Sequence, residues 1–143
     1  MAIANLHETL LMYTMRKNQL NLEIMELQTQ RQLAVASIAD TNSLLAQGQA
    51  AIREQYRTLY EENEVYQANY IDYTEIPDFE EAMDAIAAMY QDQLDELAAW
   101  ETQLNAQITT DSTELEEINA YMDSIKSMLS SNIQDDFNFG LDG

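Results

Sequence analysis

The side chains of this 143-residue chain that could do chemistry are few: one histidine, His7, two carboxylate clusters at helical spacing, and a crowd of tyrosines. His7 has neither a cysteine nor a second histidine to share a metal with, so it makes no ligand set. Glu61, Glu62 and Glu64, and again Asp92, Asp95 and Glu96, could attract a divalent cation loosely, yet no EF-hand loop pattern accompanies them. They read as solvated faces. Paired carboxylates do acid and base chemistry only in a concave, partly dry pocket that separates their pKa values. The sequence shows no Ser-His-Asp set, no Gly-rich phosphate loop and no basic patch interleaved with aromatics. The expectation is therefore no enzyme, no catalytic residue, no cofactor and no metal. Tyr56, Tyr60, Tyr66, Tyr70 and Tyr73 are left, either as an aromatic cluster that closes a helical tip or as a sticky tip that meets a neighbour.

Composition narrows the elements that can carry these residues. Apolar residues make up 46% of the chain, enough for a core, while three Gly and one Pro leave little for the tight turns of a β protein. All-α is the expected class. No cysteine is present, which excludes disulfides and thiolate metal sites. Arg16 and Lys17 follow the first apolar residues instead of preceding them, so no cleaved Sec signal is expected, and no apolar run reaches the ~18 residues that span a bilayer. The net charge of -20 is unevenly placed. Residues 1–57 balance Glu8, Glu23, Glu26, Asp40 and Glu54 against Arg16, Lys17, Arg31, Arg53 and Arg57, and Lys126 is the single base among the acids that follow. Such a field repels nucleic acid and anionic membranes.

The one proline organises the rest. Pro77 cannot continue a helix and turns Ile76 out of the helical region, so an incoming helix should stop by about Tyr73; Asp78 with Glu81 forms a capping box that starts the next. The expected division of a single helical-hairpin domain is arm one at 3–73, a turn at 74–78, arm two at 79–138 and a frayed tail at 139–143. In arm one, Leu6, Leu10, Tyr13, Leu20, Ile24, Leu27, Ala34, Ile38, Leu45, Ile52, Leu59 and Tyr66 recur at steps of four and three, a coiled-coil seam whose contact face rotates after about residue 40. Arm two carries a matching seam. The favoured architecture is a long antiparallel helical hairpin, with a compact four-helix bundle as the alternative if Gly48 and residues 109–113 both bend. Folding about the turn pairs positions whose numbers sum to about 151, which sets Lys17 near Asp135 and Asp136, and Arg53 and Arg57 near Asp95, Glu96 and Glu101.

A hairpin of two helices buries one stripe of each, yet Leu11, Met12, Met15, Leu22, Met25, Leu33 and Val35, with Met89, Trp100, Tyr121 and Met128, lie off the seam. The expected consequence is association, either with copies of the chain or with a helical protein partner. Candidate interface residues are Leu20, Ile24 and Leu27 in arm one, Tyr66, Tyr70 and Tyr73 beside the turn, and Leu129, Ile133, Phe137 and Phe139 near the end.

In pattern, both arms resemble the axial needle and filament proteins of type III and flagellar-type export, through residues 1–6 (Met-Ala-Ile-Ala-Asn-Leu) and 127–133 (Ser-Met-Leu-Ser-Ser-Asn-Ile). The likeness implies terminal segments that pair and polymerise. A poorer likeness is to the helical-hairpin substrates of type VII export, whose Trp-x-Gly turn is missing here because Trp100 sits mid-helix. Small acidic secretion chaperones are a third. The resulting expectation is a self-assembling structural subunit of a secreted filament, extracellular or at the cell surface, inserting in no membrane and binding no nucleic acid. The alternative is an acidic helical chaperone or adaptor, located in the cytoplasm.

Overall fold

The computed structural model describes residues 3–142, with side chains described as far as residue 135. The chain forms α1 (Ile3–Glu62), α2 (Glu64–Asn69), a short 3-10 turn (Tyr73–Glu75) and α3 (Phe79–Asp142), with no strand among the described residues. The two long helices α1 and α3 pack against each other as the arms of a helical hairpin, so the all-α expectation holds. Contacts divide into two compact units, Met1–Gln30 with Leu104–Gly143, and Arg31–Gln103.

Neither suspected break interrupts a helix. Thr110 and Thr113 turn their hydroxyls back onto the carbonyls of Ala106 (3.0 Å) and Thr109 (2.9 Å), which satisfies them inside α3 instead of at a cap. Gly48 stays helical, and its missing side chain is used: a Cβ built there would overlap Ile86 Cδ1 and stand 3.3 Å from Cγ1. The bundle alternative therefore falls. α3 also continues through residues 139–142, where the sequence suggests fraying.

In the first unit the core is two small clusters along the seam. Leu6 packs with Ile125 and Leu129, flanked by Ile3, Leu10 and Tyr13; Leu20 packs with Ile118 and Met122, flanked by Leu10, Tyr13 and Leu115. Leu20 is completely buried. Tyr13 and Tyr121 stack at 5.7 Å between ring centres. Beside them Arg16 grips Glu114 with both arms of its fork, Nε to Oε1 at 2.8 Å and Nη2 to Oε2 at 2.9 Å.

That fork lowers the Glu114 carboxyl below its ordinary range, chiefly by hydrogen bonding, and raises the Arg16 guanidinium. A carboxyl depressed in the folded state adds stability above its unfolded pKa and loses it as pH falls through the folded value. Glu114→Gln is accordingly expected to melt below the wild type at neutral pH, with the gap closing in acid. Paired thermal melts between neutral pH and strong acid check this, and a gap independent of pH would contradict it.

In the second unit Ala34, Ile38, Thr41, Leu45, Gly48 and Ile52 hold the same seam, with Ala34 and Thr41 buried. Thr41 is tolerated because its hydroxyl donates to the Ser37 carbonyl at 2.8 Å. The rotation expected after residue 40 is absent: Leu44 is 49% exposed and Ala51 is exposed. The phase changes only beyond Ile52, where steps of four bring in Tyr56 and Tyr60 while Leu59 turns outward.

The connection is where the sequence reading and the structure part. α1 stops at Glu62, well before Tyr73, because Asn63 adopts extended dihedrals and its Oδ1 accepts the amides of Val65 (3.0 Å) and Tyr66 (3.2 Å), capping α2. Gln67 reaches back with Nε2 to the Tyr60 and Glu61 carbonyls, closing the end of α1. The Tyr60 hydroxyl donates to the carbonyls of Tyr70 (3.0 Å) and Ile71 (2.9 Å), a strut across the loop. Asp72 accepts from the Thr74 amide and hydroxyl, which holds its carboxyl below the ordinary aspartate range.

Ile76 sits in the extended conformation that precedes a proline and is buried. Its carbonyl accepts from Phe79, closing a turn with Pro77 second and Asp78 third, and Asp78 takes a φ of 74° as a type II turn demands there. Asp78 thus starts α3 through its backbone carbonyl, which accepts from Ala82 at 2.8 Å, and not through the expected capping box.

Because residues 63–78 are consumed by this connection, the fold-back is centred earlier than Pro77. Tyr13 meets Tyr121 in the first unit and Gly48 meets Ile86 in the second, numbers that add to 134 in each case and not 151. The cross-arm ion pairs expected from that sum are not the ones formed among the described residues, and the side chain of Asp136 lies outside them. Arg16 takes Glu114, and Arg57 pairs with Glu54 on its own helix while lying over the Tyr73 ring.

Candidate functional site

α1 in the first unit has two apolar faces. At about 100° per residue, Leu11, Met15, Leu22 and Met25 fall within about 80° of one another and roughly opposite the seam of Leu6, Leu10, Tyr13, Leu20 and Ile24. Each of the four is exposed by 61% or more, although equivalent side chains on the seam are covered. Their spacing of four, seven and three, with Asn18 filling the gap, is again that of a helix-packing stripe. α3 exposes Tyr121, Met128 and Ile133 in this unit, but no apolar stripe directly opposite its seam. Its outward positions in the same unit, Thr113, Glu116, Glu117, Ala120, Ser124 and Ser127, are exposed and almost wholly polar.

On the shoulder between the helices lies a groove of about 550 Å³ formed by Met12, Tyr13, Arg16, Glu114, Ile118 and Tyr121, with Thr9 and Glu117 at its edge. Met12 and Tyr121 are 70% and 52% exposed. The groove is open and largely apolar, with Arg16, Glu114 and Glu117 as its charged lining. Among the described residues no three His, Cys, Asp or Glu side chains gather closely enough to hold a metal ion, and no helix is long and apolar enough to cross a membrane.

The structure separates the expected interface residues. Leu20 and Leu129 are spent inside the chain, and Ile24 and Leu27 lie half-buried along the same seam. Ile133 stays open to solvent. Tyr66 and Tyr70 pair with each other at 5.9 Å, and Tyr73 packs edge-on against Phe79, which also receives Tyr56. The tyrosines therefore form two groups that close the connection. The side chains of Phe137 and Phe139 lie outside the described residues.

Two residues with no place among those candidates are the most exposed large apolar side chains of the second unit. Val65 is 64% exposed, and Ile71, at 85%, projects from a loop whose backbone is fastened on both sides, its amide to Glu75 Oε2 (2.9 Å) and its carbonyl to the Tyr60 hydroxyl. The signal that finds them is Asn63, a strong helix-capping residue two positions before Val65.

The chain matches no known protein family, and no curated protein or solved structure is similar to it.

Proposed function

We propose that this chain is a self-assembling structural subunit of an extracellular filament, polymerising through its helices. The observation that carries the reading is the apolar outer face of α1, Leu11, Met15, Leu22 and Met25, which the chain's own packing leaves bare. Apolar surface in a continuous stripe is costly in water and marks a contact. Growth beyond a pair needs a second contact, and Val65, Ile71 and Met89 in the second unit offer apolar surface for it. Placement outside the cell rests on the pattern-level likeness to exported axial proteins.

The groove beside Arg16 and Glu114 favours a second reading, an acidic helical chaperone or adaptor that holds a partner's apolar helix. Electron micrographs and sedimentation over a concentration series discriminate between them. Fibres or open-ended growth are expected; a chain that stays monomeric at the highest concentrations and binds an added amphipathic helix would overturn the filament in favour of the adaptor.

A further inference from the structure

We infer that the outer face of α1 in the first unit is a two-fold contact with the same face of a second copy, the two helices antiparallel and crossing at Asn18. The inference rests on the self-assembly proposed above and specifies which face joins and in which direction. Charge limits how that copy can approach. With a net charge of -20 per chain, a copy must approach by a surface that keeps acids apart, and among the exposed positions of the stripe, Leu11, Met15, Asn18, Leu22 and Met25, there is no charge at all. The polar outer face of α3, with Glu116 and Glu117, then points away from the contact on both copies.

Direction follows from the spacing. Turned antiparallel about Asn18, Leu11 of one copy meets Met25 of the other, while Met15 and Leu22 fall one residue, about 1.5 Å, out of level and lie side by side along the seam. Asn18 meets itself. A carboxamide carries both donors and an acceptor, so two of them across an axis satisfy each other, and a single polar residue in an apolar seam fixes register. The flanking acids agree. Aligned parallel, Glu8 would face Glu8 and Glu26 would face Glu26; antiparallel, Glu8 lies opposite Gln28 and Glu26 opposite Leu10.

The chain has no cysteine, so a single introduced thiol reports one position. Under mild oxidation Asn18→Cys is expected to form a covalent dimer in high yield, Leu11→Cys and Met25→Cys to stay largely monomeric alone, and an equal mixture of those two to cross-link. In the cysteine-free chain, Leu22→Asp should keep its helical signal and weaken association by roughly 30-fold or more, as the loss of a central apolar anchor does. Self-cross-linking by Leu11→Cys and by Met25→Cys that exceeds that of Asn18→Cys would establish a parallel contact and overturn the geometry. Association by sedimentation without any Asn18→Cys product would remove this face while leaving self-assembly standing. A monomer at every concentration would remove both.

Discussion

Leu20→Asp is expected to unfold the first unit. Leu20 has no exposed surface and sits between Ile118 and Met122, so removing its side chain alone should cost about 2–5 kcal/mol, and burying an unpaired carboxylate adds several more. Such a loss is comparable with the whole stability of a typical domain, about 5–15 kcal/mol. Leu22→Asp, two residues on and exposed, should change stability by no more than about 0.5 kcal/mol. Circular dichroism melts of the two variants side by side give the comparison. Equal helicity in both would mean that the seam had been assigned to the wrong face of α1.

The second large effect belongs to Gly48→Leu. Helix propensity alone favours this change by about 0.8 kcal/mol, since leucine is among the best helix formers and glycine among the worst. Packing reverses the sign, because even a Cβ at this position overlaps Ile86. Overpacking of this kind typically costs about 1–3 kcal/mol, and leucine at a helix contact should reach the upper end. Combining it with Ile86→Ala, which opens the space, should give a double variant more stable than the sum of the single losses by at least about 1 kcal/mol. Thermal or urea melts of the four proteins close the cycle. Simple additivity would show that α1 and α3 do not meet at Gly48.

Much of the helical frame was legible because the sequence states it repeatedly. Leu6, Leu10, Tyr13, Leu20, Ile24, Leu27, Ala34 and Ile38 repeat one spacing, and their side chains are the covered ones in α1. Pro77 marked the end of the connection for the plain reason that it cannot continue a helix. Asn63 did not mark the beginning with equal force, since asparagine is tolerated inside helices and its capping role is visible only once its Oδ1 meets two backbone amides. That one missed cap moved the register between the arms. Thr41 and Gly48 misled in a different way. Both look like defects in an apolar seam, yet one satisfies its hydroxyl locally and the other makes room for Ile86.

The proposed association surface was half legible. Leu11, Met15, Leu22 and Met25 stood out from sequence as surplus apolar residues, and the structure leaves them open. Leu20 and Leu129 were nominated as contacts because periodicity shows that a residue is apolar and on a stripe, but not which of two opposite stripes the chain keeps for itself. Settling that requires the partner helix in place.

The fastened loop at the tip bears on the rate of the proposed assembly. Ordering a mobile loop on contact would consume about 1–2 kcal/mol of conformational entropy for each residue immobilised. Around Ile71 that freedom is already reduced, because the Tyr60 hydroxyl and the Glu75 carboxylate bond its peptide groups before any neighbour arrives. A subunit closing over the tip would have only one branched side chain left to still, so even a small hydrophobic cap could bind there without a folding step.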